Sequence, residues 1–183
     1  MERWHDYLGS DRGFEPAEHL AALVGEGLDI AAALQRRRDA RKTELILALD
    51  VMEGVREYIT DAKRIGLRLG VASSSSRAWV TGHLERLGIH QHWAAIRTRD
   101  DVERTKPAPD LVLAAQEKAG AGRAVMVGDT PWDVEAARKA SIPAICVLTG
   151  GFARAELEEA GAAAVFEGAE ELARRLEAAL AAA

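Results

Sequence analysis

The chain has 183 residues, enough for one full domain or a domain with a small appended module. Hydrophobic residues make up 48% and charged residues 29%, a balance that can bury a core and argues against disorder. Lys and Arg number 24 against 29 Asp and Glu, and the net charge of -5 disfavours nucleic acid or an anionic membrane as main partner and favours a small substrate.

Cys146 is the sole cysteine and lies in an apolar run, so disulfides are excluded and a buried, inert thiol is expected. No apolar run reaches the roughly 18 residues of a membrane span. The opening MERWHDYLGSDRGF lacks the apolar stretch of a signal peptide, which makes a cytoplasmic protein with no membrane partner the expectation.

In chain order, residues 1–52 look helical and differ in pattern from the rest of the chain. Pro16 to Val24 reads as a short helix broken by Gly25 and Gly27, and Asp29 is expected to cap a longer one running to about Leu49. Arg36, Arg37, Arg38, Arg41 and Lys42 form a basic face on it, read as solvated in preference to anion-binding. Residues 53–183 then alternate helix and strand signals, the pattern of a parallel sheet covered on both faces. A helix Val55 to Arg64, a strand LRLGVA, four serines from Ser73 to Ser76 and a helix up to Gly88 come first. A weak strand at Ala94 to Ile96, the polar loop TRDDVERTKPAPD and a helix from about Asp110 to Ala119 come next. VMVGDTPWD is a strand, a tight turn and a helix start, and AICVL is the next strand. A short helix at Ala155 to Glu159, a weak edge strand AAAVF and one Ala-rich helix, fraying at its end, close the chain.

Three loops carry chemistry. Asp129 stands at the carboxyl end of its strand, the edge where open α/β sheets bind ligands, and can hold a hard cation. Asp133, one turn later, can add a second oxygen; equally, with Thr130 it has the spacing of a capping box. The serine run offers hydroxyls and backbone N–H groups at a helix start, suited to phosphate, although small polar residues also fill ordinary loops. Lys106 precedes Pro107 and Pro109, which are expected to hold the backbone extended and lower the cost of fixing the side chain. Hydroxyl, lysine and acid pair would converge on one edge of the sheet.

Taken together these segments resemble the haloacid dehalogenase-like superfamily of phosphohydrolases, in the branch with phosphoglycolate phosphatase and beta-phosphoglucomutase. Ser73 in GVASSSS matches its second motif, Lys106 in KPAPD its third, and Gly128 to Asp133 its fourth, GDxxxD. The resemblance implies a Rossmann-like parallel sheet, phosphate contacts from Ser73, Ser74 and Lys106, and Mg²⁺ at Asp129 and Asp133. It also implies a small phosphorylated substrate and makes residues 1–52 part of a helical cap that sets substrate choice, with Arg12 able to reach the substrate.

The family's first motif, DxDxT or DxDxV, supplies the nucleophilic aspartate and the general acid and base. No aspartate here is followed two places on by another; Asp50, the best placed, is followed by Met52 and is read as lying at a helix end. The expectation is therefore a phosphatase chain that starts inside its cap, by a miscalled start, a truncation or a deliberate choice of segment. It would be inactive alone, lack the sheet's first, central strand, and be open to self-association through the gap. The alternatives are an inactive fragment or pseudoenzyme that binds Mg²⁺ or phosphate, and a sugar-phosphate mutase.

Overall fold

The computed structural model describes residues 19, 22, 23, 28–120 and 122–183. Two compact units meet in the chain between Asp50 and Val51. In the first, helix α1 spans Leu28–Ala48. It contains no Gly or Pro and is rich in Ala, Leu and Arg, so propensity favours it throughout. Leu28 is already helical, which puts Asp29 inside the first turn and not at the cap expected of it. The Gln35 amide donates to Asp39 at 3.1 Å and Arg41 pairs with Glu44 at 2.7 Å, neighbours on a helix surface. Arg36, Arg37, Arg38, Arg41 and Lys42 are all exposed, as a solvated face requires. Of the expected helix Pro16 to Val24, His19, Ala22 and Leu23 are described, and all three are helical.

The second unit alternates helix and strand. Helix α2 is Val55–Arg64, β1 Gly70–Ser73, α3 Arg77–Arg86, β2 Ala95–Thr98 and α4 Asp110–Ala119. Then come β3 Met126–Gly128, α5 Pro131–Lys139, β4 Ala144–Val147, α6 Arg154–Ala160 and β5 Ala164–Phe166. Helices α7, Ala169–Arg174, and α8, Leu176–Ala182, end the chain.

All strand pairs are parallel. β1 pairs with β2, Ser73 opposite Thr98, and β4 runs between β3 and β5, Cys146 opposite Gly128 and Ile145 opposite Ala164. β1 and β3 share no ladder, so one edge of each has no strand partner among the described residues.

Successive residues of a strand point to opposite faces, and β4 uses both. Ala144 and Cys146 join Val134 and Ala137 of α5 and Leu157 of α6, whereas Ile145 joins Phe166, Leu172 of α7 and Ala179 of α8. Burial of a side chain such as Ile145 contributes roughly 1.5–3 kcal/mol. Helix α4 packs across β1 and β2, α5 packs on β3 and β4, and Val112 of α4 meets Ala136 of α5 and Ile142 of the turn after it. The hydrogen-bonded sheets are thus bridged by a helix pair.

Three further expectations are corrected. β1 begins at Gly70 and not at Leu67, because the Leu67 N–H is spent on the Ala62 carbonyl at 2.9 Å in the last turn of α2. Residues 105–109 turn: Ala108 N–H donates to the Thr105 carbonyl at 2.9 Å, the Lys106–Pro107 peptide is cis and Pro109 is helical in backbone conformation, so the prolines do not extend the segment. The final helix breaks at Arg175, which pairs with Glu171 at 3.1 Å and lies over the Phe166 ring. The break sends Leu176 into the cluster with Ile59 and Ala62, while Leu172 and Ala179 pack with Ile145, so packing overrides the propensity of an Ala-rich run.

Candidate functional site

The GDTPWD turn is built by hydrogen bonds that all converge on Asp133. Thr130 has extended backbone and caps α5, its Oγ1 accepting from the Asp133 N–H at 3.2 Å. Asp133 Oδ2 in return accepts from Thr130 N–H at 3.1 Å, Thr130 Oγ1 at 2.8 Å and Asp129 N–H at 3.2 Å. Pro131 at the first helical position forfeits no bond there. The remaining oxygen, Oδ1, accepts from Lys106 Nζ at 2.7 Å. That pair is well shielded, with side chains 14% and 6% exposed. Glycine is required before it: a Cβ on Gly128 would stand 2.4 Å from the Asp133 Cβ.

Asp129 has a different environment. It is half-buried, and its Oδ2 accepts from the Thr149 hydroxyl at 3.0 Å. Burial pushes its carboxyl up and the Asp133 charge adds to that; the Thr149 bond and the Lys106 ammonium oppose them without prevailing. Gly150 lies so close that a Cβ there would come within 2.2 Å of the Asp129 carbonyl oxygen. Behind the pair, Cys146 is fully buried; burial, then the charges of Asp133 and Asp129, push its thiol up to about 12. The thiolate is the reactive form, so Cys146 is the inert thiol expected.

The serine run divides its labour. Ser76 is the helix cap, its Oγ accepting from the Trp79 N–H at 3.4 Å. Ser73, last in β1, accepts from the Ser75 N–H at 3.2 Å, and the buried Ser74 Oγ has no hydrogen-bond partner among the described residues. Capping therefore consumes one of four hydroxyls.

Lys106, Asp129 and Asp133 are brought together directly. Ser73 and Ser74 stand at the carboxyl end of the other sheet, and no hydrogen bond joins them to that trio among the described residues. Arg12 lies outside the described residues. Asp50 is exposed, two places beyond the end of α1. Among the described residues no group of three His, Cys, Asp or Glu side chains is arranged to hold a metal, and no helix is long and apolar enough to cross a membrane. Asp129 still suits a hard cation: burial and the Asp133 charge outweigh the Thr149 bond and the Lys106 ammonium, so its negative charge is under-compensated. The sequence reading missed Thr149, whose position three residues past Cys146 on the neighbouring strand's carboxyl edge was the available signal.

A family model described as "Haloacid dehalogenase-like hydrolase" matches residues 10–147. YhcW of Bacillus subtilis, provisionally named a phosphatase, is 38% identical over 117 residues, 64% of this chain and 53% of that protein. Phosphoglycolate phosphatase of Agrobacterium fabrum is 34% identical over 99 residues, 53% of this chain and 42% of that one. The chain thus spans about half the length of the curated relatives it matches. A hydrolase from Pseudomonas syringae superposes with TM-score 0.70 at 31% identity, over 83% of this chain and 74% of its own. A Thermotoga maritima protein provisionally named a beta-phosphoglucomutase gives TM-score 0.77 at 24% identity, over 88% and 76%, a likeness of fold.

Proposed function

The chain belongs to the haloacid dehalogenase-like hydrolase family, and from that premise we propose that it carries the phosphate- and cation-holding half of a phosphomonoester hydrolase acting on small phosphorylated metabolites. One observation carries the reading: a shielded Lys106 ammonium 2.7 Å from Asp133, beside the under-compensated Asp129, at the carboxyl ends of parallel strands. An ammonium has three donors, and Lys106 commits one to Asp133, leaving two for phosphoryl oxygens. Ser73 and Ser74 supply hydroxyls and loop N–H groups to the same anion.

Mg²⁺ would be held directly by Asp129, with Asp133 keeping Lys106 and the turn in place behind it. When bound, such an ion offsets charge on the phosphoryl oxygens and the leaving group. Magnesium commonly keeps several waters and takes one or two carboxylates plus substrate phosphate, so a single free carboxylate implies weak binding. The aspartyl nucleophile and its proton-shuttling partner have no counterpart among the 183 residues, since none of the 11 aspartates forms a D-x-D pair. This chain alone should bind and not turn over; the full activity would proceed through an aspartyl-phosphate, in a reducing, cytoplasmic setting.

The absent pair also favours a second reading, a non-catalytic module that binds phosphate with Mg²⁺. Two measurements separate the readings. Inorganic phosphate titrated calorimetrically with Mg²⁺ present should bind weakly, and more weakly still to Ser73→Ala and Lys106→Ala. Turnover of an aryl phosphate should stay at background. Mg²⁺-dependent turnover that disappears in Asp50→Asn would overturn the inactivity of the chain, and phosphate binding unaffected by Lys106→Ala would overturn the site.

A further inference from the structure

The serine loop is gripped from outside its own helix. Thr98, opposite Ser73 in the β1–β2 ladder, is fully buried, and a single 3₁₀ turn, Arg99–Asp101, comes directly after it. Asp101 reaches back across that turn. Its Oδ2 accepts from the Thr98 N–H at 2.8 Å and the Thr98 hydroxyl at 2.9 Å, while Oδ1 accepts from the Arg77 guanidinium and lies 3.7 Å from Arg97. Asp100 Oδ2 accepts from the Arg77 N–H at 2.7 Å, and the Ser75 carbonyl accepts from the Arg99 N–H at 3.1 Å.

These contacts cross from the loop after β2 to the loop after β1. Thr98 and Asp101 alone would form a self-contained capping box, with no need of the neighbouring strand. Arg77 and Ser75 make the difference, because they bracket Ser76 and lie within four places of Ser73. Arg77 is also the first residue of α3, so its N–H has no partner within the helix and Asp100 satisfies it.

We infer that Asp101, assisted by Asp100, is a positioning residue: it fixes the course of the serine loop so that Ser73 and Ser74 present their hydroxyls and N–H groups together to a phosphate, which it does not itself touch. The inference rests on the phosphate-binding role proposed for those serines. A carboxylate beside an anion site repels the anion unless its charge is used elsewhere, and Asp101 is used by Arg77, Arg97 and Thr98. Burial by itself would raise the Asp101 carboxyl; the Thr98 bonds and the two guanidinium charges outweigh burial and hold it below the usual carboxylate range, so it is ionised near neutrality.

The test compares the parent chain with Asp101→Asn, Asp101→Glu, Asp100→Ala, Ser73→Ala and the Asp101→Asn/Ser73→Ala double variant. Inorganic phosphate affinity, backbone amide exchange at Arg77 and Arg99, and the melting temperature are measured for each. Asp101→Asn should bind phosphate about tenfold more weakly, the effect of one charge-assisted hydrogen bond, with faster exchange at both amides. Asp101→Glu should recover part of that loss, and the double variant should bind little worse than Ser73→Ala, since both changes disable one device. Asp100→Ala alters an exposed side chain and keeps the inference falsifiable if Asp101→Asn does not fold. Affinity within twofold of the parent for Asp101→Asn or Asp100→Ala, with Ser73→Ala weakened, would overturn the inference; so would fully additive losses in the double variant. If the parent binds no phosphate, the underlying reading fails, and exchange decides the clamp alone: unchanged protection at Arg77 and Arg99 in both aspartate variants refutes it.

Discussion

Asp129 and Asp133 are four residues apart and serve opposite purposes. Asp133 has a donor for each oxygen and contributes stability by tying Lys106 to the turn. Asp129 is ionised against burial and a like charge, so its pKa in the folded chain lies above the unfolded value. The folded state then binds the proton more readily than the unfolded one, and stability is lost as pH rises from the ordinary carboxylate value, about 3.9, through the raised one. Above that window the cost is fully present. Asp129→Asn, which keeps an acceptor for Thr149, should therefore stabilise the chain near neutral pH by roughly 0.5 to 1 kcal/mol. The gain should vanish as the solution is acidified through the carboxylate range; urea midpoints at several pH values would read it, and a gain independent of pH would disprove the assignment. Mg²⁺ should raise the melting temperature of the parent and leave that of Asp129→Asn unmoved.

The turn from α5 into β4 is held at one unfavourable backbone position. Ser141 has φ of 58°, the left-handed region, at the place where a helix usually ends in glycine, and the Ile142 N–H closes the turn on the Ala137 carbonyl at 2.9 Å. Ser141 is exposed, so nothing is lost by removing its side chain. Ser141→Gly should stabilise by up to about 1 kcal/mol, seen as a higher urea midpoint with unchanged slope. The boundaries of α2 and α4 were legible in the sequence because Gly54, Gly66, Pro109 and Gly120 mark their ends. The acid turn was legible for the same reason: Gly128, Thr130 and Pro131 permit little besides a strand, a cap and a helix start. The uses of the side chains were not. That Asp133 is engaged by a lysine 27 residues away, that Thr149 holds Asp129, and that Arg175 breaks the last helix are all consequences of packing between segments distant in sequence. The polar loop TRDDVERTKPAPD was legible as a loop; the reach of Asp101 across to Arg77 was not.

At the scale of the whole molecule, the strands lie in two ladders, with one edge of β1 and one edge of β3 unpaired among the described residues. Unpaired backbone groups along a strand invite another strand, and each that is buried costs about 1–3 kcal/mol. A segment bearing D-x-D-x-T or D-x-D-x-V, joined ahead of Met1, should raise the melting temperature by roughly 10 °C, since 1 kcal/mol is about 2–4 °C at this size. Light scattering should show the unextended chain self-associating and the extended one monomeric. A cooperative, monomeric melt of the 183 residues, unaltered by the added segment, would refute the expectation that these open edges take up a further strand. The helix pair that bridges the ladders has a further consequence. The serine hydroxyls follow one ladder, and the Lys106–Asp133 pair runs from the loop after β2 to the helix after β3, so under the proposed phosphate-binding reading the span between the two loops would be set by that pair together with the packing of Val112, Ala136 and Ile142. On that reading, repacking the apolar cluster would widen or narrow the span without altering any residue proposed to meet the phosphate, a purely steric dial for anion size.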